Sequence, residues 1–190
     1  LKHKGNLFVL SSPSGGGKTT VIHTLKKRNP ELAYSVSATT RRPRQGERHG
    51  IDYLFLDKEA FEEKIREDAF IEWACVHGDY YGTIREKVDE LLEKSRGVLL
   101  DIDIQGGLNL KKSRPDTVLI FLLPPSIKEL EKRLLKRATE EEPVRRRRLR
   151  VAKEEMKAAE HYDYQVINND LGKTVREVET IIQRFTALPE

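Results

Sequence analysis

The chain has 190 residues, a length that fits one domain or one with embedded sub-domains. It carries 35 Lys+Arg against 31 Asp+Glu, a net charge of +4 at pH 7, and its charged fraction of 35% is high for a globular chain. Apolar runs such as Val118-Leu119-Ile120-Phe121-Leu122-Leu123 exclude wholesale disorder, and no run approaches the ~18 apolar residues of a membrane span. The single cysteine, Cys75, excludes an internal disulfide framework and a cysteine-based zinc site; beside Trp73 it reads as packed rather than reactive. Leu1-Lys2-His3-Lys4 leads straight into a strand pattern with no secretory signature, so a cytoplasmic location is expected.

Leu7-Phe8-Val9-Leu10 reads as a short buried strand, and Val21, Ile22 and Leu25 fall on one face of a following helix. Between them lies Ser11-Ser12-Pro13-Ser14-Gly15-Gly16-Gly17-Lys18-Thr19-Thr20. Strand, glycine-rich loop and helix together form the context that a phosphate loop requires. Glycines let backbone N–H groups of Ser14, Gly15, Gly16, Gly17, Lys18, Thr19 and Thr20 converge on an anion without Cβ obstruction. The helix N-terminus adds partial positive charge, Lys18 a full one, and the Thr19 hydroxyl is a ligand for Mg²⁺. Ser12 stands where the first glycine of the pattern is usual; ahead of Pro13 it is biased to the extended form in which a strand can leave.

Further stretches follow in chain order: Ser35-Val36-Ser37-Ala38-Thr39-Thr40-Arg41-Arg42-Pro43-Arg44-Gln45-Gly46-Glu47, then Gly50-Ile51-Asp52-Tyr53; Phe70-Ile71-Glu72-Trp73-Ala74; Gly78-Asp79-Tyr80-Tyr81-Gly82-Thr83; and Leu100-Asp101-Ile102-Asp103-Ile104-Gln105-Gly106. Val98 to Asp103 reads as a buried strand ending in two carboxylates which, at a spacing of two, share a face. With the phosphate loop, and at this spacing, these motifs closely resemble the guanylate kinases, over about residues 7 to 182.

The resemblance implies ATP and GMP as substrates and Mg²⁺ as cofactor. It matches Arg41, Arg44, Tyr53 and Tyr81 to contacts with the GMP phosphate, which suits planar guanidinium forks and neutral phenols. It matches Glu72 and Asp103 to the guanine edge, whose N1–H and 2-amino group need acceptors, and Ser37 and Thr83 to guanine O6. Thr83-Ile84-Arg85-Glu86 is also a capping-box pattern, so a helix cap is open to Thr83 as well. Asp101 is placed to hold Mg²⁺ through water or, alternatively, to hydrogen-bond the phosphate loop.

Ser126-Ile127-Lys128-Glu129 is a second capping box, opening a helix with Leu130, Leu134 and Leu135 on its face. From Lys128 to Lys157 there are 12 basic and 7 acidic residues, a local excess above that of the whole chain. Ala138 to Pro143 reads as an acidic loop, and a helix bearing Arg145 to Arg148 and Arg150 follows. In guanylate kinases this region is a lid. The resemblance makes Arg133, Arg137 and Arg148 catalytic and leaves Arg145, Arg146, Arg147 and Arg150 as solvated charge. Gln165 to Asp170 reads as a last strand with a polar tip. Asn169 and Asp170 there match contacts to ATP, or else form a turn and cap for a helix over 173–185.

The order of elements predicts an α/β fold of the P-loop three-layer kind with a parallel sheet: a core of residues 1–36, 84–126 and 158–190, a GMP-binding insert at 37–83 and a lid at 127–157. Two rival readings fit less of the chain. A catalytically silent binding module would not need Lys18, Thr19 and the lid arginines, and a nucleic-acid binder using the basic arm leaves Glu72, Asp103 and the tyrosines without a role. Neither nucleic acid nor membrane is therefore expected among the partners.

Overall fold

The structure is a computed structural model, and it describes residues 5–76, 78–136 and 142–187. In chain order these form β1 (Asn6–Ser11), α1 (Lys18–Arg28), β2 (Ala33–Ser35), β3 (Ala38–Thr39), β4 (Leu54–Phe55), α2 (Lys58–Arg66), β5 (Phe70–Val76), β6 (Asp79–Ile84), α3 (Arg85–Lys94) and β7 (Gly97–Asp101). There follow α4 (Ile104–Ser113), β8 (Val118–Leu123), α5 (Ile127–Lys136), α6 (Glu142–Lys157), a 3-10 turn (Ala158–His161), β9 (Tyr164–Ile167) and α7 (Leu171–Thr186). A five-stranded sheet has the order β2-β7-β1-β8-β9, and a four-stranded sheet the order β4-β3-β6-β5. The β2–β7 and β8–β9 pairs are parallel. The near-continuous apolar sequences of β7 and β8 are those of strands buried on both faces.

By density of contact the chain divides into two compact units, Leu1–Val9 with Glu31–Val118, and Leu10–Pro30 with Leu119–Glu190. In the first, α2 lies on the four-stranded sheet. Phe61 stacks on Phe70 at 4.4 Å and on Tyr80 at 5.3 Å, over a small core with Ala38. Asp57 caps α2 by accepting from Ala60 N–H. In the second unit, α1 buries Val21, Ile22 and Leu25, and α7 buries Val175, Val178, Ile181 and Ile182 at helical spacing. Glu179 of α7 pairs with Arg28 at 3.0 Å and accepts from Asn29 Nδ2 at 2.8 Å, joining the two helices. Leu130 and Leu134 of α5 bury against Ala152 of α6, and Ser126 caps α5 as its sequence predicts.

Four expectations change. The strand β7 stops at Asp101, so Asp103 does not share a strand face with it; Asp103 has left the sheet to cap α4, accepting from Gln105 N–H and Gly106 N–H. Helix α6 begins at Glu142, so Glu142 and Pro143 are helical rather than loop. A proline in the first turn gives up only an N–H that has no helical partner there. Thr83 is not a cap: α3 begins after Ile84 with no side-chain cap. Cys75 is exposed, because the alternation along β5 turns Trp73 and Cys75 outward together. Among the described residues no helix is long and apolar enough to cross a membrane.

Candidate active site

In the first unit, Glu72 is held by the β5–β6 hairpin. A register shift between Phe70 and Glu72 interrupts the ladder, and Glu72 then pairs directly with Thr83. Thr83 Oγ1 donates to Glu72 Oε1 at 2.6 Å, and both residues are buried. The other oxygen, Oε2, is buried with no hydrogen-bond partner among the described residues. Burial pushes the Glu72 carboxyl up to about 7; the Thr83 hydrogen bond opposes this and the nearby Asp103 charge adds to it. Gly106 explains how the two carboxylates come together. A Cβ there would collide with Glu72 Oε2 and lie 2.9 Å from Asp103 Oδ1, so only glycine lets the start of α4 approach them. Ser37 is buried close by and donates to the Asp101 carbonyl at 3.4 Å.

Arg41 is the centre of a second cluster. Its guanidinium pairs with Glu47 Oε1 at 2.9 Å, donates to the Arg42 carbonyl at 2.8 Å and lies 5.4 Å from the Tyr53 ring centroid. Glu47 Oε2 accepts from the Arg44 N–H at 2.7 Å, so one carboxylate fixes both the Arg41 side chain and the Arg44 backbone. Burial raises the Glu47 carboxyl, but the Arg41 and Arg44 hydrogen bonds prevail and hold it below its usual range. Tyr53 meets Tyr81 edge to face at 6.1 Å. Burial, then the Asp101 charge, push the Tyr53 phenol well above its ordinary value, so it stays a neutral donor. The Arg44 side chain is exposed.

In the second unit, the loop between β1 and α1 has left-handed backbone at Gly15 (φ 83°) and Gly17 (φ 90°), which favours glycine. Gly16 N–H donates to the Pro13 carbonyl at 2.9 Å, closing a turn with Gly15 in its third position, where a positive φ belongs. Lys18, Thr19 and Thr20 open α1. Asn168, at the end of β9, was missed in the sequence. Its Nδ2 donates to the Gly16 carbonyl at 2.7 Å, and its own carbonyl accepts from Arg133 of α5 at 3.1 Å. A trans peptide points its C=O and N–H in opposite directions. Holding the Gly16 carbonyl from one side therefore turns the Gly17 N–H to the other. A cavity of about 340 Å³ lies here, lined by Gly15, Gly17, Thr20, Arg133 and Asn169 among others. Asp170 caps α7 through Lys173 N–H at 2.8 Å.

The fold thus gathers the expected residues into two groups. Ser37, Arg41, Tyr53, Glu72, Tyr81, Thr83, Asp101 and Asp103 belong to the first unit, as does Arg44; the loop from Ser14 to Thr20, Arg133, Asn169 and Asp170 belong to the second. Arg137 lies outside the described residues, and Arg148 is placed within α6 with its side chain undescribed.

A parallel sheet whose first strand runs through a glycine-rich loop into a helix opening on Lys-Thr defines a P-loop nucleotide-binding fold. The family model for guanylate kinase matches residues 4–185. The guanylate kinase of Carboxydothermus hydrogenoformans is 47% identical over 95% of this chain and 88% of its own length. That of Rubrobacter xylanophilus is 46% identical over 97% of this chain and 96% of its own. The crystal structure of guanylate kinase from Anaplasma phagocytophilum superposes with a TM-score of 0.82 at 34% identity, covering 99% of this chain and 89% of that one. The chain belongs to the guanylate kinase family, and it transfers the γ-phosphoryl group of ATP to GMP, giving ADP and GDP.

Proposed function

We propose that Glu72 and Asp103 accept from the guanine edge of GMP, that Ser37 and Thr83 serve its O6, Thr83 by turning its one hydroxyl hydrogen from Glu72 Oε1 when GMP binds, and that Arg41, Arg44, Tyr53 and Tyr81 hold its phosphate. The observation that carries this reading is the buried Glu72 carboxylate, with one oxygen occupied by Thr83 and the other without a partner among the described residues. Guanine brings donors at N1 and at the 2-amino group; adenine has neither and would leave that oxygen buried and unpaired, a costly mismatch. The donor nucleotide is held by the loop from Ser14 to Thr20, in which the Ser14 and Gly16 amides hold the turn itself, by Lys18, and by the Asn169 and Asp170 region. Arg133, Arg137 and Arg148 neutralise charge on the equatorial oxygens of the transferring group.

The GMP phosphate is largely dianionic at neutral pH, its second pKa lying near ~6, so no protein nucleophile or base is required. Catalysis is positioning and charge neutralisation. Mg²⁺ bound with ATP would supply charge neutralisation at the phosphates. Thr19 and, through water, Asp101 would hold it; hydroxyl and carboxylate oxygens suit a hard cation that keeps most of its waters. The same reading divides the chain into a core (1–36, 84–126, 158–190), a GMP-binding insert (37–83) and a lid (127–157), and puts the protein in the cytoplasm with ATP and GMP.

ADP release from ATP, compared across GMP, AMP, CMP and UMP, tests the substrate side: only GMP supports full turnover, and comparable rates with AMP would overturn the guanine assignment. Lys18→Met tests the donor side and is expected to abolish turnover in a protein that still melts cooperatively.

A further inference from the structure

Glu155 lies near the end of α6, the helix that carries Arg148 two turns earlier, and has no part in the roles assigned so far. Its Oε2 accepts from Ser14 N–H in the phosphate loop at 3.0 Å, across 141 residues of sequence. An amide donating to a carboxylate is a charge-assisted bond, stronger than the neutral ladder bonds around it.

The consequence follows from peptide geometry. The Pro13–Ser14 peptide is trans, so fixing Ser14 N–H toward α6 turns the Pro13 carbonyl the opposite way. On that opposite side the Pro13 carbonyl accepts from Gly16 N–H at 2.9 Å and from Ser12 Oγ at 3.2 Å. The carboxylate thereby sets the first peptide plane of the turn, as Asn168 sets a later one through the Gly16 carbonyl. The same helix pair seats the loop: a Cβ on Gly15 would lie 3.0 Å from Leu134 Cδ2 and 3.2 Å from Leu130 Cδ1, and these leucines pack against Ala152 of α6. A glycine-rich loop has many conformations to lose on binding a polyphosphate, and holding it in one of them beforehand removes that entropy from the binding step.

We propose that Glu155 is a positioning residue of the ATP site, a carboxylate that holds the phosphate loop in its nucleotide-accepting form through the Ser14 amide. The proposal rests on the reading that this loop binds ATP. Glu155→Ala is expected to weaken ATP at least about tenfold, the size of one lost charge-assisted bond, with GMP affinity within twofold of the parent. Glu155→Gln keeps a neutral acceptor at the same place and is expected to restore ATP to within threefold. Should Glu155→Ala fail to fold, Glu155→Asp, one methylene shorter, replaces it with the same expected loss.

ATP and GMP affinities are measured by equilibrium titration, KM for ATP at saturating GMP, and melting temperature alongside. A lower melting temperature with unchanged ATP affinity would make Glu155 merely structural and overturn the proposal. So would Glu155→Gln as impaired as Glu155→Ala, or tighter ATP binding in either, which would mark the carboxylate as a repelling anion. Lys18→Met in parallel separates the two claims. If it too leaves ATP affinity unchanged, the loop reading itself falls; if it alone weakens ATP, only the role of Glu155 does.

Discussion

On the proposed assignment of Glu72 to the guanine edge, its burial makes GMP recognition a proton-linked event. Its folded-state value of about 7 stands against an ordinary 4.5. To accept from N1–H and the 2-amino group, both oxygens must be free of protons. Thr83 holds Oε1, which leaves Oε2, without a partner among the described residues, as the site for the proton of the neutral form. In the free protein about a tenth of Glu72 is ionised at pH 6 and about half at pH 7. GMP affinity is therefore expected to be roughly tenfold below its high-pH plateau at pH 6 and twofold below it at pH 7, with protons released on binding near pH 6.

The GMP phosphate titrates near ~6 as well, so the control is Glu72→Gln, which removes the carboxyl titration and leaves the phosphate's. The assay is isothermal titration of GMP from pH 5.5 to 8.5 in buffers of different ionisation enthalpy. Glu72→Gln binds GMP more weakly at pH 8 and shows a shallower pH profile. Parallel profiles for the two proteins would refute the argument.

The same group sets a stability trend of opposite sign. A carboxyl raised on folding binds more protons in the folded state, so its contribution is fully present below about pH 4.5 and is lost as pH climbs through 7. The loss is on the order of 3 kcal/mol. Without nucleotide, Glu72→Gln is expected to melt higher than the parent at pH 8 while binding GMP less well.

Three substitutions probe the surrounding geometry. Gly106→Ala drives a methyl into Glu72 Oε2 and Asp103, and should lower GMP affinity at least tenfold with ATP affinity unchanged; equal losses for both nucleotides would contradict the site assignment. Gly17→Ala puts a Cβ 2.5 Å from Asn168 Nδ2 at a φ of 90°; left-handed backbone alone costs about 1–2 kcal/mol, and ATP binding, read by titration, should fall with stability. Thr83→Val leaves Glu72 Oε1 without its donor, at a cost of about 1–3 kcal/mol. It also raises the Glu72 carboxyl further, which moves the pH profile of GMP binding upward.

Features with a local cause were legible in the sequence. The phosphate loop announces itself through Gly15-Gly16-Gly17-Lys18-Thr19, the strands β1, β7 and β8 through unbroken apolar runs, and α5 through the Ser126 cap and the spacing of Leu130 and Leu134. What stayed hidden depends on partners far away in the chain. Asp103 looks like a strand residue at a spacing of two from Asp101; only the turn into α4 makes it a cap. Thr83 has a cap's sequence but pairs across the hairpin with Glu72, because a register shift after Phe70 brings them level. Asn168 and Glu155 carry no motif, since the atoms they meet, the Gly16 carbonyl and Ser14 N–H, belong to any backbone.

These hidden contacts share a physical logic. A mostly apolar core would be more stable with an apolar residue at position 72, and a flexible loop could be tolerated at positions 13–17 if stability alone mattered. Instead the chain buries a carboxylate that one hydroxyl only half satisfies, and places a carboxylate and an amide behind a glycine-rich turn. The first arrangement costs folding energy until a ligand with two adjacent donors arrives; the second spends ordering entropy during folding rather than at binding. On the proposed assignments, selectivity for guanine comes from what a wrong base leaves unpaired, and affinity for ATP from a loop already shaped. The two effects separate experimentally: relieving the strain at Glu72 should stabilise the protein and blunt its choice of base, whereas loosening the loop at Glu155 should weaken ATP and leave the choice of base intact.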